Sequence, residues 1–231
     1  MSRDLLEEQI AYYRARAGEY DDWWLRRGRY DRGAEFNQRW FSEAELVRTA
    51  LREFQPSGRV LELACGTGLW TEELLRLGAD LTAVDASPEV LELNRQRLRG
   101  ASVRYRQLDL FAWEPDGEFD CVFIGFFLSH VPAERLDVFL DKVRRSVRAG
   151  GRLFLVDSLF DPASTATDHQ LLDKGQNWQV RRLSDGREFK VVKVFYSPEE
   201  LQATLARAGF TVAVRTAGSF FLYASGEKAA E

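Results

Sequence analysis

The 231-residue sequence is short of the residues that would mark a stapled or metal-built protein. Its two cysteines, Cys65 and Cys121, cannot make a disulfide framework and are not spaced as metal ligands, so no metal site is expected. A reducing, cytoplasmic setting is the expectation that follows. Histidine is as scarce, with His130 and His169 alone. No stretch reaches the ~18 apolar residues of a membrane span. The longest apolar stretch, around FDCVFIGFFLSHV, reads as a buried strand running into a loop. The opening MSRDLLEEQI is charged and lacks the apolar core of a signal peptide. A cationic excess is missing too. Net charge is −4, and residues 1–60 set eleven arginines against eleven acidic residues, which argues against a nucleic-acid partner. There is no internal repeat, and only the tail GEKAAE is of low complexity.

What is present is alternation. Helical patterns over residues 3–21 and 36–54 flank WWLRRGRYDRG, which reads as a loop or broken helix. Five short apolar runs follow at 59–64, 81–85, 103–109, 119–125 and 152–158, the signal of buried strands. Helices are expected between them, one at 71–78 ending on Gly78, one opened by Ser87-Pro88-Glu89, and one at 132–151 closed by two glycines. Such alternation implies a parallel, doubly wound sheet in an α/β fold. The last third differs. Ser184-Asp185-Gly186 between 178–183 and 187–195 is a hairpin signal. Ser197-Pro198-Glu199-Glu200 makes a capping box. Two late strands, 210–216 and 219–225, are too close to pair in parallel and must be antiparallel.

Three acidic residues fall at or near the ends of successive strands. Glu62-Leu63-Ala64-Cys65-Gly66-Thr67-Gly68 ends the first strand and opens a helix, with small residues that let backbone approach a ligand. The carboxyl end of such a sheet is where nucleotides bind. Asp85 ends the second strand, where a carboxylate can accept two ribose hydroxyls. Asp109 ends the third and can accept from an exocyclic amine. Singly, the glycine pair could be a turn, Asp85 a helix cap and Asp109 a turn residue. Their order in one chain favours a shared site.

ELACGTG, VDAS, QLDL and FDCVFIG together resemble the class I S-adenosylmethionine-dependent methyltransferases, over roughly residues 56–160. The resemblance implies a seven-stranded, mostly parallel sheet with a reversed last hairpin. It implies that residues 1–55 form a helical lid on a Rossmann-like core at 56–231, in a single methyltransferase domain. It places Ala64, Gly66 and Gly68 beside the methionine part of S-adenosylmethionine and Glu62 at its amino end. Asp85 and Ala86 would meet the ribose, Asp109 and Leu110 the adenine, and Gly125 and Phe126 the methionine and acceptor side. Ala64 stands where the family has its first glycine. Tyr13, Ala17, Tyr20 and Asp21 resemble a pattern in which an aromatic touches the cofactor, although Tyr13, Ala17 and Tyr20 also share one helical face. Threonine at position 71 departs from the G-x-G-x-x-G of an NAD(P)-type oxidoreductase, the alternative enzyme class. A non-catalytic module that binds S-adenosylmethionine is the other alternative.

The acceptor is less legible. Gly125-Phe126-Phe127-Leu128 does not match the run used on nucleic-acid bases, and the resemblance points to a small-molecule acceptor methylated at oxygen, nitrogen or sulfur. Phe126, Phe127, Trp178 and N-terminal aromatics are candidates for an apolar pocket or simply core. Arg26, Arg27 and Arg29 either face an anionic group on the acceptor or form a solvated loop. Asp157 is the one acidic residue suggesting a catechol-type Mg²⁺ site, and no partners for it stand out. His130, in the loop after the fourth strand, is the candidate catalytic base, with a helix cap as its structural alternative. Oligomeric state is not encoded in any pattern found.

Overall fold

The computed structural model describes residues 3–169 and 177–230. Five strands run parallel: β1 (Arg59–Leu63), β2 (Asp80–Asp85), β3 (Val103–Gln107), β4 (Phe119–Gly125) and β5 (Val147–Ser158). With β8 (Phe210–Ala217) and β9 (Phe221–Lys228) they make a seven-stranded sheet in the order β3-β2-β1-β4-β5-β9-β8. The last two strands are antiparallel to their neighbours. Strand order reverses between β1 and β4, which opens a crevice at the carboxyl edge.

Both faces of the sheet are covered, because alternate strand residues point to opposite sides. Val60, Leu81, Phe123 and Phe154 pack against α3 (Ala34–Phe54) and α4 (Leu69–Arg76). Leu61, Val122, Ile124 and Leu155 pack against α6 (Ala133–Ser146) and α7 (Pro198–Arg207). Trp40 of α3 is 1% exposed and donates its indole N–H to the Trp24 carbonyl. Helix α5 (Pro88–Arg97) is capped by Ser87, and α7 has the expected Ser197–Glu200 capping box. The predicted hairpin is a separate two-stranded sheet, β6 (Trp178–Arg182) with β7 (Glu188–Val192). No helix among the described residues is long and apolar enough to cross a membrane.

Two boundaries differ from the sequence reading. The helix expected over 132–151 stops at Ser146, and the chain enters β5 at Val147. Gly150 and Gly151 belong to an irregular strand start, where a Cβ on Gly151 would lie 2.8 Å from Val147 Cγ1. The helix expected over 3–21 also breaks. It runs as α1 (Arg3–Ala15), a 3₁₀ turn over Ala17–Glu19 and a short α2 (Tyr20–Trp24). Gly18, a poor residue for a helix interior, sits at the break.

Candidate functional site

The chain leaves β1 in a tight left-handed path, with φ of +54° at Ala64, +55° at Gly66 and +95° at Gly68. A Cβ on Gly68 would lie 2.8 Å from Asn94 Cγ. Asn94, fully buried on α5, braces this loop. Its amide nitrogen donates to Gly66 O at 3.1 Å and Thr71 Oγ1 at 2.9 Å, and its oxygen accepts from Tyr105 Oη at 2.8 Å. No motif had marked Asn94. Asp85 accepts from the backbone N–H of Gly66 and of Ser87, each at 3.0 Å. Burial raises its pKa above the usual carboxylate value, with the Ser87 and Gly66 N–H groups opposing. Burial likewise pushes Glu62 up to about 8, against a hydrogen bond from Thr71. Its Oε2 is buried with no partner.

A cavity opens over the glycine loop. Ala64, Gly66, Asp85, Ala86, Asp109, Leu110, Gly125 and Phe126 line it, with Tyr13 and Tyr20 closing it from the N-terminal segment and His130 from the turn after β4. Of the residues assigned to the cofactor from sequence, only Glu62 and Gly68 do not reach its wall. Asp109 is fixed by the Phe111 N–H at 2.9 Å. Tyr20 stacks near Gly66, where a Cβ would lie 3.7 Å from Tyr20 Cε1. The next residue, Asp21, accepts from Thr67 Oγ1 at 2.5 Å and pairs with Arg97. The N-terminal segment is thereby tied to the glycine loop. The arrangement combines a carboxylate at the end of β2, a left-handed glycine loop, and a buried, unpartnered Glu62 oxygen outside the cavity wall.

A second cavity shares Tyr13, Tyr20, Phe126 and His130 with the first. Its further walls include Arg16, Tyr30, Ser158, Thr165 and three hairpin-side residues, Gln179, Arg181 and Lys193. The Arg16 guanidinium lies 4.9 Å from the Tyr20 ring centre and reaches Tyr30 Oη at 3.4 Å, while its Nε has no partner. Arg181 donates to Thr165 Oγ1 at 2.5 Å and approaches His169 Nδ1 at 3.1 Å. Among the described residues neither arginine is paired with a carboxylate. Among the described residues the one acidic wall residue, Asp161, accepts from Ala163 N at 2.7 Å. Lys193 is different: its Nζ lies 2.7 Å from Ser129 Oγ and 3.4 Å from Asp157 Oδ1. Burial lowers its pKa, with Asp157 opposing. Asp157 also accepts from the backbone N–H of Ser129 and Ser158.

His130 lies between the two cavities. Its Nδ1 is 2.6 Å from the Val192 carbonyl, which can only accept, so the ring proton is on Nδ1. Nε2 then accepts from Tyr13 Oη at 2.9 Å. Burial, with Lys193 nearby, holds its pKa well below the ordinary histidine value. His169 is also depressed, to about 3, by burial and Arg181.

The arginines favoured by the sequence are placed elsewhere. Arg26 donates to the carbonyls of Ser164 and Ala163, Arg29 binds Asp168 and the Arg182 carbonyl, and Arg27 is exposed. None lines either cavity, and neither does Trp178, whereas Phe127 lines the first. Arg16, Arg181 and Lys193, which do line the second, come from two distant segments, the N-terminal one and the β6–β7 hairpin. One signal was available: Tyr12, Arg16 and Tyr20 stand at helical four-residue spacing.

Residues 60–151 match a family model described as a methyltransferase domain. The ubiquinone biosynthesis O-methyltransferase of Xanthomonas axonopodis pv. citri (strain 306) is 35% identical over 160 residues, 67% of this chain and 64% of that protein. That of Xanthomonas campestris pv. campestris (strain B100) is 34% identical over 71% of this chain and 66% of its own length. The chain thus spans just under two thirds of these curated relatives. The solved DhpI-SAH complex is 35% identical over 100% of both chains, with a TM-score of 0.77. The DhpI-SAM-HEP complex is 36% identical over 97% of this chain and 98% of that one, also at 0.77.

Proposed function

This chain belongs to the class I S-adenosylmethionine-dependent methyltransferases, and we propose that it methylates an oxygen of a small anionic acceptor. The observation that carries the acceptor class is the pair of guanidinium groups, Arg16 and Arg181, in the second cavity without carboxylate partners. Both guanidinium groups are half-buried, and a charge held partly out of water without a counter-charge gains from an anionic occupant. A phosphate or carboxylate group meets both arginines with charge-assisted hydrogen bonds. The name of the Xanthomonas relatives, O-methyltransferase, supports oxygen as the acceptor atom.

In this reading the first cavity takes the cofactor. Asp85 and Ala86 hold the ribose, and Asp109 and Leu110 flank the adenine. Ala64, Gly66, Gly68, Gly125 and Phe126 form the methionine cradle, with Glu62 toward its amino end. The cofactor supplies a methyl group already activated on a sulfonium. The protein's task is then to position the acceptor oxygen and exclude water. Residues 10–41 act as the lid, and Tyr13 and Tyr20 are its closing contacts. An oxyanion arrives deprotonated, so no base is required. His130 acts through Tyr13, whose hydroxyl it aims by taking its proton in a hydrogen bond.

The test is turnover of purified protein with S-adenosylmethionine against two acceptor sets, small phosphates and carboxylates against neutral phenols and amines. S-adenosylhomocysteine release with an acidic acceptor, lost in Arg16→Gln and Arg181→Gln, is expected. Turnover confined to neutral acceptors and indifferent to both substitutions would sink the anionic assignment.

A further inference from the structure

Three cavities meet at one place. The third is a small cleft lined by Trp23, Trp24, Thr67 and Trp70, and Tyr20 and Phe126 are the two residues that line it and both larger cavities. We infer that the Phe126 ring receives the sulfonium charge of the cofactor and so distinguishes S-adenosylmethionine from its neutral product. This rests on the reading of the first cavity as the cofactor site. A methyl group delivered from that cavity to the arginine cavity must pass their shared wall, which places the sulfur beside Tyr13, Tyr20, Phe126 and His130.

On that wall Tyr13 stands edge-on to His130 and is hydrogen-bonded to it through its hydroxyl. Among the described residues no acidic side chain lines the third cleft. Arg16 already occupies the Tyr20 ring at 4.9 Å, and it adds positive charge next door. That leaves the Phe126 ring as the site of attraction, since aromatic faces attract cations. The chain holds this ring in place by an uncommon backbone. Phe126 has φ +54°, a conformation unusual for an aromatic residue, and its N–H donates to Val156 O at 2.8 Å. Trp23 meets the ring at 5.0 Å between centres and 83°, and Trp24 at 5.6 Å. Strained backbone of this kind persists where neighbours over-determine it.

The charge disappears on transfer. As the oxygen–methyl bond forms, the sulfur–methyl bond breaks with its electron pair left on sulfur, and the sulfonium becomes a neutral thioether. The attraction to Phe126 is thus present for the reactant cofactor and gone for the product.

Calorimetry with S-adenosylmethionine and S-adenosylhomocysteine on Phe126→Leu and Phe126→Tyr tests this. Leucine keeps an apolar side chain and removes the ring. It is expected to weaken S-adenosylmethionine about five- to tenfold and S-adenosylhomocysteine less than about twofold, with tyrosine restoring the wild-type ratio. Retained affinity for the product also reports a folded site, and Phe126→Met carries the same comparison should leucine fail to fold. Equal losses for both ligands, or an unchanged ratio, would overturn the inference and leave Phe126 a packing residue. A wild-type protein that binds neither ligand would instead defeat the cofactor-site reading beneath it.

Discussion

Tyr13 Oη lies 2.9 Å from His130 Nε2, and the tautomer of that ring is set by the Val192 carbonyl on its other side. The hydroxyl proton is therefore committed to His130, and Tyr13 presents lone pairs to the two cavities it lines.

If these two residues act as one unit, Tyr13→Phe and His130→Asn should each lower kcat about five- to tenfold, the value of a single hydrogen bond. Asparagine can still donate to Val192 while losing the bond to Tyr13. The double variant should be no worse than either single one, which is the signature of coupling. Affinity for S-adenosylhomocysteine should stay within about threefold, on the same hydrogen-bond scale. Losses that multiply, or a His130→Asn loss of about a hundredfold or more that follows a single ionisation in the pH profile, would return His130 to the role of general base.

Glu62 gives a pH signature in the ligand-free protein. Its folded pKa, about 8, lies above its unfolded value near 4.5. The folded state therefore holds a proton that the unfolded state releases, and stability drains away as pH rises through this window. Glu62→Gln carries no such proton. Its melting temperature should gain on the wild type between pH 5 and 8, by at most about 1.4 kcal/mol of stability per pH unit. Parallel melting curves for the two proteins across that range would show that Glu62 is ionised in the fold.

Asp85→Ala should weaken S-adenosylhomocysteine at least about tenfold by calorimetry, because charge-assisted hydrogen bonds contribute roughly 1.5–3 kcal/mol each. The variant also releases the Gly66 and Ser87 N–H groups, so Asp85→Asn is the cleaner comparison. Unchanged affinity in both variants would remove Asp85 from the ribose.

Asp21 ties the N-terminal segment to the glycine loop through Thr67 and Arg97. Hydrogen exchange across residues 10–41 should slow when S-adenosylhomocysteine is added, and Asp21→Asn should blunt that protection. Equal exchange with and without ligand would show that the segment is packing and not a lid.

The parts of this protein that could be read from sequence are those whose information is local. The runs at β1, β2 and β4 are apolar because both sheet faces are buried, and Asp85 and Asp109 stand at strand ends where the chain must turn. The start of β5 differs from the helix expected there because Gly150 and Gly151 read as a helix stop while they serve a strand irregularity. The acceptor wall was unreadable for another reason. Arg16 comes from the N-terminal segment and Arg181 and Lys193 from the β6–β7 hairpin more than 160 residues later, and single arginines and lysines carry no pattern. Asn94 is similarly silent, since its role exists only once Gly66, Thr71 and Tyr105 surround it.

The β6–β7 hairpin stands outside the main sheet, yet its outer edge is not open. Helix α1 closes it: Glu8 accepts from Lys190 N at 2.7 Å and Gln9 from Val192 N at 2.9 Å, while Tyr12 packs with Leu183 and Val191. Side chains thus occupy backbone donors that could otherwise template pairing with a foreign strand. The same stitching makes hairpin and helix a single exchangeable cassette. A graft that changes acceptor choice by replacing the hairpin must carry residues 5–20 with it, because a transplanted hairpin alone would arrive with its donors bare and half of its arginine wall left behind.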